Sequence, residues 1–294
     1  MNTRDLAYFY QLIRQKSFSK VADYFHVTQP TITMALKRLE ADYGTKLIQR
    51  DRVHNQLTVT ATGQQLLTHA EAILNELTVA RQEITRLTQQ QTVLALPPII
   101  ETHYFPQIAA QLQAHQQLEN IRTIEGGSVT LRQALRNGEA DIALLGSTAP
   151  LSYQQLLAQE FDRQPFTIFV SRQHPLANRQ RIAFSDLRHE HFILFTDDFV
   201  HNAAFNQLTR RNHFRPDVVY RANDTHVIMN LVAANVGITF LTSIADQHRS
   251  DVVRLTLTDD EQPEFIASIV YRTTHVLTPA QQQVLAVLTQ TLGR

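Results

Sequence analysis

Gln29, Thr33 and Lys37 recur every fourth residue, so on a helix they share one face. Their chemistry suits a nucleic-acid groove. An amide can meet a base edge at two points, a hydroxyl with a methyl offers a polar and an apolar contact, and an ammonium meets a phosphate. Such a face needs a helix set at an angle to a support, and Ser17–Gly44 supplies the pair. Ser19 is expected to cap the first helix, whose apolar face is Val21, Ala22 and Phe25. Thr28 caps the second, and Pro30 falls in its first turn, where a missing N–H costs little. Ile32, Leu36, Leu39 and Tyr43 recur at four, three and four residues and are expected to face inward. This is a helix-turn-helix pattern. The competing reading is an amphipathic helical hairpin whose polar face meets only water.

The charge distribution favours the first reading. The 294 residues carry 27 Lys plus Arg and 27 Asp plus Glu, but all four lysines (Lys16, Lys20, Lys37, Lys46) lie near the start. Residues 1–58 hold nine basic against five acidic side chains; the remainder holds eighteen against twenty-two. A basic head on an acidic body is the asymmetry of a nucleic-acid module joined to something else. Residues 47–52 and 56–60 read as two short strands around a polar turn, a wing carrying Arg50 and Arg52 towards phosphates or a minor groove. There is no cysteine, hence no disulfide scaffold or thiolate chemistry. Neither a signal-peptide core nor a membrane-length apolar run is present, so a cytoplasmic protein without a membrane partner is expected.

The chain reads as three parts: a DNA-binding head at 1–58, a linker and dimerisation helix at 59–90, and an α/β body at 91–294. In the linker, Leu66, Ala70, Ile73, Leu77, Ala80, Ile84 and Leu87 alternate four and three residues apart, the seam of a two-stranded coiled coil. A symmetric dimer would set two reading helices about 34–36 Å apart, matching a palindrome. In the body, short apolar runs alternate with helical stretches in a βαβ order that favours helix-covered sheets. Two lobes with a ligand cleft are expected; the last strand and helix could close either half and are taken with lobe I, giving lobe I at about 91–160 and 266–294 and lobe II at about 161–265.

Ser17-Phe18-Ser19, Ala22, Thr28–Thr33, Leu36–Glu40, Gly44, Leu47, Arg50 and Thr60–Gly63 resemble the N-terminal signature of LysR-type transcriptional regulators. Within that family, Met1–Leu6 and Gln29–Arg38 are similar to malolactic-operon regulators. The resemblance implies a winged helix-turn-helix, a long linker helix and two α/β lobes of periplasmic-binding-protein-like architecture. It implies double-stranded DNA as partner, a homodimer assembling to a homotetramer, contact with RNA polymerase, and a small anionic effector, L-malate or another carboxylate. Carried over, Gln29, Pro30, Thr31, Thr33, Met34, Lys37 and Arg38 would meet the major groove, and Arg50 and Arg52 would serve the wing. Met34 departs from the polar or basic reader usual at that position; an apolar contact to a thymine methyl is one substitute.

The same resemblance places the effector among Pro97–Thr102, Gly126–Ser128, Thr196–Asn202 and Asn223–His226. The residues it nominates are Pro98, Ile99, Thr102, His103, Ser128, Thr196, His201, Asn202, Thr225 and His226. Ser128 and Thr225 would cap helices whose free N–H groups favour an anion. The first of these loops has Pro97, Pro98, Ile99 and Ile100 where hydroxyl side chains are usual in the family.

An enzyme or a plain solute-binding module is the alternative, its N-terminal helices serving only assembly. His189-Glu190-His191 lacks a third ligand at a suggestive spacing, so no metal is expected. Asp197-Asp198 and Asp259–Glu261 read as solvated loops. Gly126-Gly127-Ser128 lacks the rest of a phosphate loop, and no Gly-x-Ser-x-Gly elbow occurs. Neither cofactor nor catalysis is expected.

Overall fold

A computed structural model describes residues 2–51, 56–245 and 249–293. The chain divides into two compact units, Met1–Glu83 and Ile84–Arg294.

The first unit begins with α1 (Thr3–Gln15), capped by the Asn2 side chain, which accepts from the Arg4 N–H. α2 (Phe18–Tyr24) starts earlier than expected: Ser17, not Ser19, is its N-cap, accepting from the Lys20 N–H at 3.3 Å. That start puts Phe18 on the helix, where it is buried with Val21 and Ala22. α3 (Gln29–Tyr43) follows a tight turn, with Pro30 in its first turn and Gly44 in the left-handed conformation at its end. Its inward stripe is Ile32, Ala35 and Leu39, with Leu36 only partly covered. Tyr43 is exposed, contrary to expectation: it shares the face of Ile32 and Leu39 but is the last residue of α3, next to the Gly44 cap. Strands β1 (Ile48–Asp51) and β2 (Gln56–Val59) pair antiparallel, Ile48 opposite Val59.

Two polar anchors fix the hairpin to α3 and to α4 (Ala61–Gln89). The buried Glu40 carboxylate accepts from Lys46 Nζ at 2.6 Å and from the Leu47 N–H at 3.1 Å. Thr60 Oγ1 donates to the Lys46 carbonyl and accepts from the Gly63 N–H at 2.9 Å. Position 63 must be glycine, because a Cβ there would overlap the Leu47 carbonyl oxygen. Of the seam residues on α4, Leu66 and Ala70 are buried in the core of this unit, while Ile73, Leu77, Ala80, Ile84 and Leu87 are exposed.

The second unit is an α/β module. Its first part runs β3 (Thr92–Leu96), α5 (Pro98–Ala114), β4 (Ile121–Glu125), α6 (Ser128–Arg136) and β5 (Ile142–Ser147), with β3 parallel to both β4 and β5. Next comes the sixteen-residue β6 (Leu156–Ser171), then β7 (Arg181–Ile182), β8 (His191–Phe195), α7 (Val200–Arg211), β9 (Asp217–Ala222), α8 (Thr225–Ala233), β10 (Thr239–Thr242) and β11 (Val252–Leu257). The chain closes with β12 (Glu264–Arg272) and α9 (Pro279–Leu292). The strand order is β4-β3-β5-β12-β6-β11-β7, with β10 also on β6, and β8-β9 form a separate parallel pair.

β6 serves both halves. Leu156–Pro165 pairs with β12, and Phe166–Ser171 pairs with β10 and β11. Its first half, LLAQEFDRQP, is mostly exposed after Leu156 and lacks the apolar run or alternation that marks a strand in sequence. α5 also begins earlier than expected: Pro98 sits in its first turn, so the segment read as a loop is helix, and Ile99 and Ile100 are core residues. The last turn of α4 is tied to this module through Asp141, which is wholly buried. Asp141 accepts from Arg86 at 2.9 Å and from the Val93 N–H at 2.8 Å, while Arg86 also donates to the Glu139 carbonyl.

Candidate nucleic-acid interface and ligand pocket

On α3, the face opposite Ile32, Ala35 and Leu39 presents Gln29, Pro30, Met34 and Lys37 to solvent, with Thr31 and Thr33 half-covered. Thr33 Oγ1 donates to the Gln29 carbonyl at 3.2 Å and Thr28 Oγ1 lies 2.9 Å from Thr31 Oγ1. Met34 is half exposed, an apolar knob amid polar neighbours. Arg38 is placed differently: its Nε and NH2 bond the buried Asp5 carboxylate at 2.9 and 2.7 Å. Hydrogen bonding to Asp5 pushes the Arg38 guanidinium above its ordinary range. Arg50 belongs to β1; Arg52, expected on the wing, lies outside the described residues.

The expected effector residues differ in exposure and in the partners they already hold. Thr102 and His103 stand exposed on α5, whereas Ile99 is buried in the core. Asn202 is spent on the Phe195 and Thr196 carbonyls, at 3.0 and 2.5 Å. Thr225 is buried, but Asp224 rather than Thr225 is the N-cap of α8, accepting from the His226 N–H at 2.6 Å. His226 itself is exposed. His201 is buried among Phe166, Phe195 and Phe265, and among the described residues neither ring nitrogen has a hydrogen-bond partner. Burial alone holds its imidazole neutral, pushed down to about 3.

The terminus of α6 also differs from expectation. Gly127, not Ser128, is the N-cap residue, and the capping acceptor comes from 71 residues away. Asp198, read from sequence as part of a solvated loop, accepts from the Gly127 N–H at 2.7 Å and from the Thr130 N–H and Oγ1, each at 2.9 Å. A Cβ at position 127 would overlap Asp198, so the approach requires glycine. Ser128 Oγ instead accepts from the Gly146 N–H at 3.0 Å.

Beside that terminus lies a cavity of about 220 Å3 lined by Ser128, Arg132, Ser147, Leu151, Tyr153 and Val200, among others. Arg132 donates to the Tyr153 hydroxyl, and its guanidinium stacks 4.8 Å from the ring centroid. Ser147 is buried and its Oγ has no partner among the described residues. Ser128 alone of the expected effector residues lines this space, together with Arg132, Ser147 and Tyr153, which local sequence pattern does not bring together. Only the i, i+4 pair Arg132 and Arg136 was a signal, and its stacking partner Tyr153 is remote in sequence. On α5, burial and the neighbouring Glu125 carboxylate push Glu101 up to about 7.

Residues 3–64 match the family model of bacterial regulatory helix-turn-helix proteins of the lysR family, and residues 85–293 match the LysR substrate-binding domain. The chain belongs to the LysR family. It is 33% identical over 289 residues to the malolactic fermentation system transcriptional activator of Lactococcus lactis, covering 98% of each chain. Among solved structures, the Corynebacterium glutamicum OxyR C206 mutant superimposes with a TM-score of 0.57 at 21% identity, over 99% of this chain and 92% of that one. The effector-binding domain of QuiR in complex with shikimate gives a TM-score of 0.60 at 17% identity, over 69% of this chain and 95% of that one. This LysR-type regulator therefore combines a DNA-binding helix-turn-helix with an effector-binding domain, and its relatives are transcriptional regulators, not enzymes. Among the described residues no helix is long and apolar enough to cross a membrane.

Proposed function

We propose that this LysR-type regulator binds a palindromic promoter site as a symmetric dimer paired into a tetramer, and answers to a small carboxylate of the L-malate class. The observation that carries the reading is the exposure of Gln29, Met34 and Lys37 on α3, opposite a fully buried stripe. Gln29, Pro30, Thr31, Thr33 and Met34 address base edges, Lys37 addresses phosphate, and Arg50 and Arg52 serve the wing. Arg38 acts at one remove, by bracing α3 on Asp5. Self-association is supported by the exposed stripe Ile73, Leu77, Ala80, Ile84 and Leu87, which keeps the a/d spacing of a coiled coil. The carboxylate class is supported by the relative from the malolactic system. The setting is the cytoplasm, with RNA polymerase as the partner at the promoter.

The test is binding to duplex DNA from upstream of the chain's own gene, followed by fluorescence anisotropy between 50 and 200 mM salt. With six to ten phosphate contacts, affinity should fall by about 10³–10⁵ across that range. L-malate should then shift either the affinity or the footprint. A salt-independent, sequence-blind response would leave the N-terminal helices an assembly device only.

A further inference from the structure

In this chain the N-terminus of α6 is already occupied by the carboxylate of Asp198, which takes the Gly127 and Thr130 amides and the Thr130 hydroxyl. A second anion there would lose those donors and meet a like charge. In the first turn of α5, Ile99 and Ile100 point into the core and offer no polar side chain to an anion. What remains beside α6 is the cavity of about 220 Å3. That is smaller than the ~300–1,000 Å3 of drug-sized sites and suits a small acid.

Its walls carry the donors an acid needs. Arg132 is half-buried, and Tyr153 fixes its plane by stacking and takes one of its five N–H donors. Ser147 is more than nine-tenths buried with an unpartnered Oγ, an orphan hydroxyl that a ligand would satisfy. Ser128 Oγ accepts from the Gly146 N–H, which leaves its own O–H to donate. None of the lining residues is acidic, and Val129 and Leu151 supply apolar wall.

We propose that the anionic effector docks here, its carboxylate on Arg132 and Ser147, while Asp198 fills the helix terminus. The assignment rests on the effector reading above. Arg132 gives a planar, two-point partner for a carboxylate. The Ser147 and Ser128 hydroxyls meet a second carboxylate oxygen or the hydroxyl of a hydroxy acid. Arg132, Ser147 and Tyr153 thus become residues that set effector specificity.

The experiment is a titration of the methyl-labelled full chain with L-malate, acetate and inorganic phosphate in turn. L-malate should shift the Val129 and Leu151 methyl signals saturably. Arg132→Gln should weaken that binding by about 10- to 100-fold and Ser147→Ala by about tenfold, with Arg132→Lys in between, given the strength of hydrogen bonds to charged groups. Ser147→Ala should keep the ligand-free melting temperature of the parent. If L-malate moves Ile99 and Ile100 but leaves Val129 and Leu151 still, the placement is overturned and the carboxylate reading stands. If acetate or phosphate moves Val129 and Leu151 and L-malate does not, the cavity stands and L-malate is not its ligand. If none of the three anions moves them, or Arg132→Gln binds L-malate like the parent, the proposal is wrong.

Discussion

Arg38 on α3 clasps Asp5 on α1 through two parallel hydrogen bonds, 2.9 and 2.7 Å long, with the Asp5 carboxylate buried and the guanidinium half exposed. Two-point geometry of this kind sets direction as well as contact. Arg38 therefore governs the angle at which α3 leaves α1, and so where Gln29 and Lys37 point.

Asp5→Asn should lower both the melting temperature and the affinity for DNA, although Asp5 itself touches no DNA. Arg38→Lys should not restore either, because an ammonium meets the carboxylate at one point only. Unchanged melting and binding in Asp5→Asn would remove the bracing role.

Gln29→Ala should cost about 1–3 kcal/mol on the specific site and relax base preference there. Lys37→Gln should weaken specific and scrambled duplexes alike and reduce the salt slope by about 1. Competition binding on both duplexes separates these effects.

Leu77→Asp places a charge in the middle of the exposed stripe on α4. Burying a leucine is worth about 1.5–3 kcal/mol, and symmetry doubles the loss, so self-association should weaken by about 10²–10⁴-fold. Sedimentation equilibrium measures it, and circular dichroism should show the helix content retained.

Gly63→Ala and Gly127→Ala test two close approaches. Each Cβ would strike backbone oxygen, at Leu47 and at Asp198 respectively. Overpacking of this kind costs about 1–3 kcal/mol. Gly63→Ala should destabilise the first unit, whereas Gly127→Ala should speed hydrogen exchange at Thr130 by pushing Asp198 away. Parent-like exchange in Gly127→Ala would show the Asp198 contact to be dispensable.

A half-buried carboxyl and a buried imidazole act oppositely with pH. Glu101 is pushed up to about 7 by burial and Glu125. Between about 4.5 and 7 the folded chain therefore holds a proton the unfolded chain has released, and stability falls as pH rises through that window. His201, pushed down to about 3 by burial, stays neutral when folded. From about 6.5 downwards the unfolded chain gains a proton the folded one refuses, and stability falls as pH drops. Glu101→Gln should make stability climb more steeply between pH 4.5 and 7, and His201→Gln should flatten or reverse the climb. Urea midpoints at the two pH values decide it.

Much of this was legible because apolar spacing is local. The β3, β4, β5 and β8 cores and the α7, α8 and α9 helices show as short apolar runs or periodic stripes. β11, VVRLTL, shows the alternation of a half-buried strand and was still passed over. The charged start of β6 was hidden because its partner, β12, lies about a hundred residues away. The reading face of α3 was legible from a period of four. The pocket was not: Asp198 meets Gly127 across 71 residues and Arg132 meets Tyr153 across 21, and nothing in local pattern encodes such meetings.

β6 passes from one set of partners to another between Pro165 and Phe166, opposite Glu264 at the start of β12. Proline brings no N–H to that rung, so the ladder is weakest where the strand changes neighbours. β6 runs unbroken through both halves, a covalent link that does not stretch along its length and is soft in twist. The two halves thus share one strand as two levers share a torsion rod, and a twist of either half reaches the other along β6.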